Sequence, residues 1–168
     1  MNLLLPEVKQ MECREGYTKT FHGFSLSGDA PFLEEAREIL PWKLWNYEEL
    51  KNGKGSMEIK LRGLEHASGK PEPLPELLET QGYVLEIQRE EIQVYAGTVE
   101  GFAYALSTLK QLLEEEDGFR LPLTRSIDWP SIEYRSLSTT FAWYAGYGRY
   151  GFDMQLWGLQ EWEQFLCI

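Results

Sequence analysis

An α/β (α+β) fold, a small and mostly antiparallel sheet with helices packed on one face, is predicted by three patterns in this 168-residue sequence. Tyr83, Leu85 and Ile87 share one side of a strand, as Ile92, Val94 and Ala96 do in the next, and Arg89-Glu90 between them mark a hairpin with one buried face. Phe102, Leu106, Leu109 and Leu113 recur at gaps of four, three and four, which is the apolar stripe of a helix. Met57, Ile59 and Leu61 alternate with Glu58, Lys60 and Arg62, the mark of a half-buried strand.

In chain order, Phe21 to Leu26 reads as a first strand. Pro31 opens a helix through Leu40, because proline fits a first helical turn without removing a needed donor. Lys51 to Ser56 is polar and contains glycine, so it reads as a loop before the Met57 strand. Gly69-Lys70-Pro71-Glu72-Pro73-Leu74-Pro75 can sustain neither ladder nor helix and is a surface connection. After the hairpin, Thr98 is placed to cap the long helix. Gly101 lets the first turn of that helix approach the hairpin, and Thr108 and Gln111 face a neighbouring layer. The acidic run Glu114-Glu115-Glu116-Asp117 is placed at the end of this helix, where it opposes the macrodipole and reads as a solvated, fraying terminus.

Nearly half of the aromatic residues fall between Trp129 and Phe165, a span under a quarter of the chain. This shift divides the sequence near Leu121-Pro122-Leu123-Thr124-Arg125 into residues 1–125 and 126–168. A formal charge of −11 argues against nucleic acid and anionic lipid as partners, since both need clustered Lys and Arg. No stretch approaches the run of about 18 apolar residues that a membrane helix needs. Met1-Asn2-Leu3-Leu4-Leu5-Pro6 lacks a basic leader, so Met1 taken as the native start predicts a cytoplasmic protein. Cys13 and Cys167 are too few and too far apart for a disulfide framework. With His22 and His66 they show no ligand spacing, so neither a metal nor another cofactor is expected.

Gly82-Tyr83-Val84-Leu85-Glu86-Ile87, the strand ending at Ala96, and the helix carrying Gly101, Tyr104, Leu106, Thr108, Leu109, Gln111 and Leu112 form a continuous pattern. It resembles the small accessory domain (chitobiase domain 2-like) that precedes the barrel in glycoside hydrolase family 20, the β-N-acetylhexosaminidases. Leu121-Pro122, Ile127-Asp128-Trp129-Pro130 and Tyr134-Arg135 are similar to that family's join and its entry into the first barrel strand. Leu5-Pro6 is similar to its usual start. The resemblance implies a non-catalytic domain at 1–125 that supports a (β/α)8 barrel, whose first strand and helix would occupy 126–168.

Family-20 chemistry is retaining, with the substrate's own acetamide in place of the enzyme nucleophile. The resemblance places its Asp-Glu pair at the end of the fourth barrel strand. The chain ends at Ile168, before that point, so no catalytic residue is expected here. Any carbohydrate partner, an N-acetylhexosaminide, would bind only in a longer protein. The entry segment departs from the family pattern: Arg135 matches, while Ser136, Thr140 and Trp143 stand where Gly, Asp and a second Arg are usual. That Arg holds sugar hydroxyls in the family. Trp143 at its position and Arg149 on the following loop are therefore the substrate-binding candidates, the other reading of Arg149 being a solvated loop residue.

Leu156-Trp157-Gly158-Leu159-Gln160-Glu161-Trp162-Glu163 is also similar to the α-N-acetylglucosaminidases of family 89. Two further readings use the aromatic tail: a free-standing carbohydrate-binding module, or a scaffold that self-associates through 131–168. Gly146-Tyr147-Gly148-Arg149-Tyr150-Gly151 spells G-x-G-x-x-G, but a dinucleotide site needs an acidic residue about 20 positions on, inside a βαβ unit. A glycine-hinged loop is the better reading. No G-x-S-x-G elbow marks a serine hydrolase.

Overall fold

The alternation at Met57 to Leu61 and in the hairpin forms the middle of a six-stranded sheet in the computed structural model, which describes residues 4, 6–43, 55–115 and 117–135. The strands are β1 (Gln10–Tyr17), β2 (Gly23–Gly28), β3 (Ser56–Gly63), β4 (Tyr83–Ile87), β5 (Glu91–Ala96) and β8 (Pro122–Asp128), in the order β1-β8-β4-β5-β3-β2. A separate two-stranded ladder joins β6 (Glu114–Glu115) to β7 (Phe119–Arg120). The pairs β1–β8, β8–β4 and β4–β5 are antiparallel, and β5–β3 and β3–β2 are parallel. The parallel step from β2 to β3 needs a crossover, and helix α1 (Leu33–Lys43) supplies it.

Two helices cover one sheet face. Helix α3 (Val99–Leu112) starts where Thr98 Oγ1 accepts the N–H of Gly101 at 3.3 Å, the cap read from the sequence. Its buried Phe102, Leu106 and Leu109, with Ala36 and Leu40 of α1, pack on Met57, Ile59, Leu61, Tyr83, Leu85, Ile87, Ile92, Val94 and Ala96. Each large apolar side chain buried here contributes about 1.5–3 kcal/mol. Gly101 is required by contact, not by backbone angle: a Cβ there would lie 2.3 Å from the carbonyl oxygen of Gly82. Thr108 reaches the sheet and shares a hydrogen bond with the Tyr83 hydroxyl at 2.5 Å. Gln111 is exposed and donates to Ser107 O on its own helix.

The opposite sheet face holds a smaller apolar cluster. Val84, Tyr95 and Ile127 meet Leu64 of a 3-10 turn (Leu64–His66), Ala67, and Leu78 of helix α2 (Glu76–Gln81), with Trp129 packed against them. The short α2 follows Pro75 and falls just after the segment expected to be a connection.

Several elements differ from the sequence expectation. A strand not expected from the sequence, β1, comes first; the strand expected from Phe21 to Leu26 is β2, which begins at Gly23, and Phe21 instead makes an isolated bridge to Phe119. The acidic run does not extend the helix: α3 ends at Leu112, and Glu114 and Glu115 enter β6, where Glu114 pairs with Arg120 at 3.0 Å. Of the expected loop 51–56, residues 51–54 lie outside the described residues. Position 125, expected to end the first domain, falls inside β8, whose Ser126 to Asp128 remain in the ladder with β4. One compact unit runs from Met1 to Ser131 and a second from Ile132 to Ile168. Of the second, Ile132 and Tyr134 are exposed and Arg135 donates to Ile132 O. From Ser136 on, the expected barrel strand and helix lie outside the described residues.

Candidate functional site

Strand alternation decides where this domain keeps its charges. With Met57, Ile59 and Leu61 turned to the main core, Glu58, Lys60 and Arg62 must emerge on the opposite face. The same rule places Glu91, Gln93 and Tyr95 of β5 and Glu86 of β4 there. Register brings Lys60 level with Gln93, and its ammonium reaches Glu91 at 2.5 Å and Glu58 at 3.8 Å. Gln93 Nε2 donates to Glu91 Oε1 at 2.5 Å, the Tyr95 hydroxyl donates to Gln93, and Ser27 Oγ donates to Glu58 at 2.6 Å. Arg125, opposite Glu86, donates to it at 2.9 Å and to the carbonyl of Ser68 at 2.5 Å, both side chains being only 16% exposed.

These contacts set the chemistry. The hydrogen bond from Lys60 holds the Glu91 carboxyl below the usual range, and the same bond, with Glu91's charge, raises Lys60. A carboxylate held ionised and an ammonium held protonated are poor at moving protons near neutral pH. Burial likewise pushes the Tyr95 hydroxyl up. The array therefore fastens strands across the sheet.

Asp128 is shifted the other way: half burial pushes its carboxyl up, against the backbone N–H groups of Lys9 and Trp129 that bond it. Lys9 N donates to Asp128 Oδ1 at 3.1 Å. Glycoside cleavage by protein groups alone takes two carboxyls facing one bond. The groups acting on Asp128 are Lys9 and Trp129, while Glu86, Glu90, Glu91 and Glu114 are each paired with a cation.

The candidate sugar-binding residues Trp143 and Arg149 lie outside the described residues, as does Cys167. His22 and His66 are exposed, His66 in the 3-10 turn beside Glu65 at 3.5 Å, and Cys13 is exposed on β1. Among the described residues, no group of three or more His, Cys, Asp or Glu side chains is arranged to hold a metal ion. No helix among them is long and apolar enough to cross a membrane. The Arg125–Glu86 and Lys60–Glu91 pairs carry no motif; only the strand registers reveal them.

The family model described as glycosyl hydrolase family 20, domain 2, matches residues 3–129, the whole sheet unit. This chain belongs to glycosyl hydrolase family 20. Solved structures agree on the fold of the family-20 domain. The β-N-acetylhexosaminidase from Bacteroides fragilis superposes with a TM-score of 0.56 at 20% identity, covering 79% of this chain and 26% of its own. The exo β-N-acetylglucosaminidase from Vibrio harveyi, in complex with N-acetylglucosamine, gives 0.56 at 21% identity, covering 80% and 20%. The β-N-acetylhexosaminidase from Streptomyces coelicolor gives 0.55 at 18%, covering 77% and 27%. The matched region thus spans about a fifth to a quarter of these solved chains. Comparison with curated proteins finds no match.

Proposed function

We propose that the described unit is the accessory domain of a hexosaminidase-like glycoside hydrolase, that it carries no catalytic group, and that it supports a separate catalytic barrel. The observation that carries this reading is the coincidence of the domain-2 match with a sheet unit in which Glu86 and Glu91 are each paired with a cation and Asp128 accepts a backbone N–H. The substrate class comes from relatives: the Vibrio harveyi enzyme is captured with N-acetylglucosamine, so the longer protein would act on N-acetylhexosaminides. On this reading residues beyond Ser131 open the barrel, and Trp143 and Arg149 are the positions that would reach sugar. The isolated chain is expected to leave aryl N-acetyl-β-glucosaminides uncleaved. Turnover that co-purifies with the protein and is lost on heating would refute the non-catalytic assignment.

A further inference from the structure

The polypeptide leaves the sheet at Asp128, and one residue from the other end of the unit meets it there three times. Lys9 lies immediately before β1, whose Gln10 is in register with Ile127 of β8. Its backbone N–H donates to Asp128 Oδ1 at 3.1 Å, 119 positions away in sequence. Its ammonium donates to Ser131 Oγ at 2.8 Å and lies 5.5 Å from the centroid of the Trp129 ring. Trp129 in turn packs on the second apolar cluster, beside buried Ile127 and Val84. Past Ser131, Ile132 is 66% and Tyr134 83% exposed.

We propose that Lys9 is a latch that keeps Trp129 to Ser131 docked as a strap over the second sheet face. The parts are chemically matched. An ammonium on a four-carbon stem can bond a hydroxyl and still sit near an indole, and the cation–indole attraction is the stronger for tryptophan among aromatic rings. Val8, buried in the main core, anchors the residue before Lys9. The latch therefore pulls against a fixed point. Opening it would bare Trp129 and part of the second cluster without breaking a ladder of the sheet. This inference stands apart from the proposed function.

Hydrogen exchange of single amides in the full chain, followed by NMR, tests it. The Trp129 and Lys9 amides report the strap, and those of Leu85 and Val94, paired in the sheet centre, report the core. Lys9→Met keeps the apolar stem and removes the cation; it is expected to speed exchange at Trp129 about fivefold and to leave Leu85 and Val94 unchanged. Lys9→Arg is expected to restore exchange to within about twofold of the native rate, because it returns the cation. An unchanged Trp129 rate in Lys9→Met overturns the proposal. So does an increase shared equally by Leu85 and Val94, which would make Lys9 a general stabiliser and not a latch.

Discussion

Removing the hydroxyl of Thr108 is expected to harm this domain more than removing the one it bonds, although a single hydrogen bond is lost either way. Tyr83 is 1% and Thr108 7% exposed, and their oxygens meet at 2.5 Å between α3 and β4. Thr108→Val keeps the shape but strands a buried phenol, which burial has pushed well above its ordinary pKa and which cannot escape by ionising. An orphaned buried hydroxyl costs about 1–3 kcal/mol, and the upper half of that range applies here. Tyr83→Phe strands only the threonine hydroxyl, which can turn to a carbonyl one helical turn back; about 1 kcal/mol is expected. With both changes neither oxygen remains, so the double variant should be more stable than the sum of the singles implies, by about 1 kcal/mol. Urea unfolding followed by circular dichroism measures all four proteins. In a domain of this size 1 kcal/mol moves the thermal midpoint by about 4 °C. Additivity within about 0.3 kcal/mol would refute the coupling. A larger loss from Tyr83→Phe than from Thr108→Val would refute the argument about which group is stranded.

Asp128 gives a pH signature of definite sign. Its folded-state pKa lies above the ordinary 3.8 because half burial disfavours the charge, so the folded protein holds that proton more tightly than the unfolded chain. Its contribution to stability is present at low pH and is lost as pH rises through the raised value. Asp128→Asn keeps an acceptor for the Lys9 N–H, so it should melt slightly above the native protein at pH 7, the gap closing towards pH 4; a lower midpoint at pH 7 would contradict this. A chain ending at Ser131 should fold and sediment as a monomer, whereas one ending at Arg125 lacks Ser126 to Asp128 of β8 and buried Ile127 and should fail to fold. Self-association of the full chain that persists after cutting at Ser131 would show that residues 131–168 are not its source.

How far the fold was legible depended on how each strand is buried. The β4–β5 hairpin, β3 and α3 announce themselves because their buried sets are mostly apolar and repeat at strand or helix spacing, Thr108 of α3 being the polar exception. β8 also reaches the interior but buries Thr124 and Ser126 beside Ile127, so its alternation looks polar and the segment resembles a join between domains. β1 is invisible for the opposite reason: every residue but Met11 is exposed. β6 and β7, two residues each, are too short for any period, and the acidic composition of β6 was read as a fraying helix end. For the site, the paired charges needed strand registers that no local pattern encodes. The resemblance is strongest from Gly82 to Arg135, and within its Gly82 to Leu113 part the structure supplies physical reasons: Gly101 must clear Gly82, and Thr108 must reach Tyr83.

The placement of β8 between β1 and β4 also sets a timetable. Synthesis delivers β1 first and β8 last, and 119 positions separate Lys9 from Asp128. At about 5–20 residues per second, the nascent β1 waits roughly ten seconds for its ladder partner. Strands β2, β3, β4 and β5 can meanwhile pair among themselves. A free strand is a template for stray pairing with neighbouring chains. Glu12, Arg14 and Glu15 share β1 with only Met11, Cys13 and Tyr17 as apolar company, and the stretch is poorly suited to such capture. The polar character that hides β1 from a sequence reader also makes it a poor template for stray pairing while the last strand of this sheet is awaited.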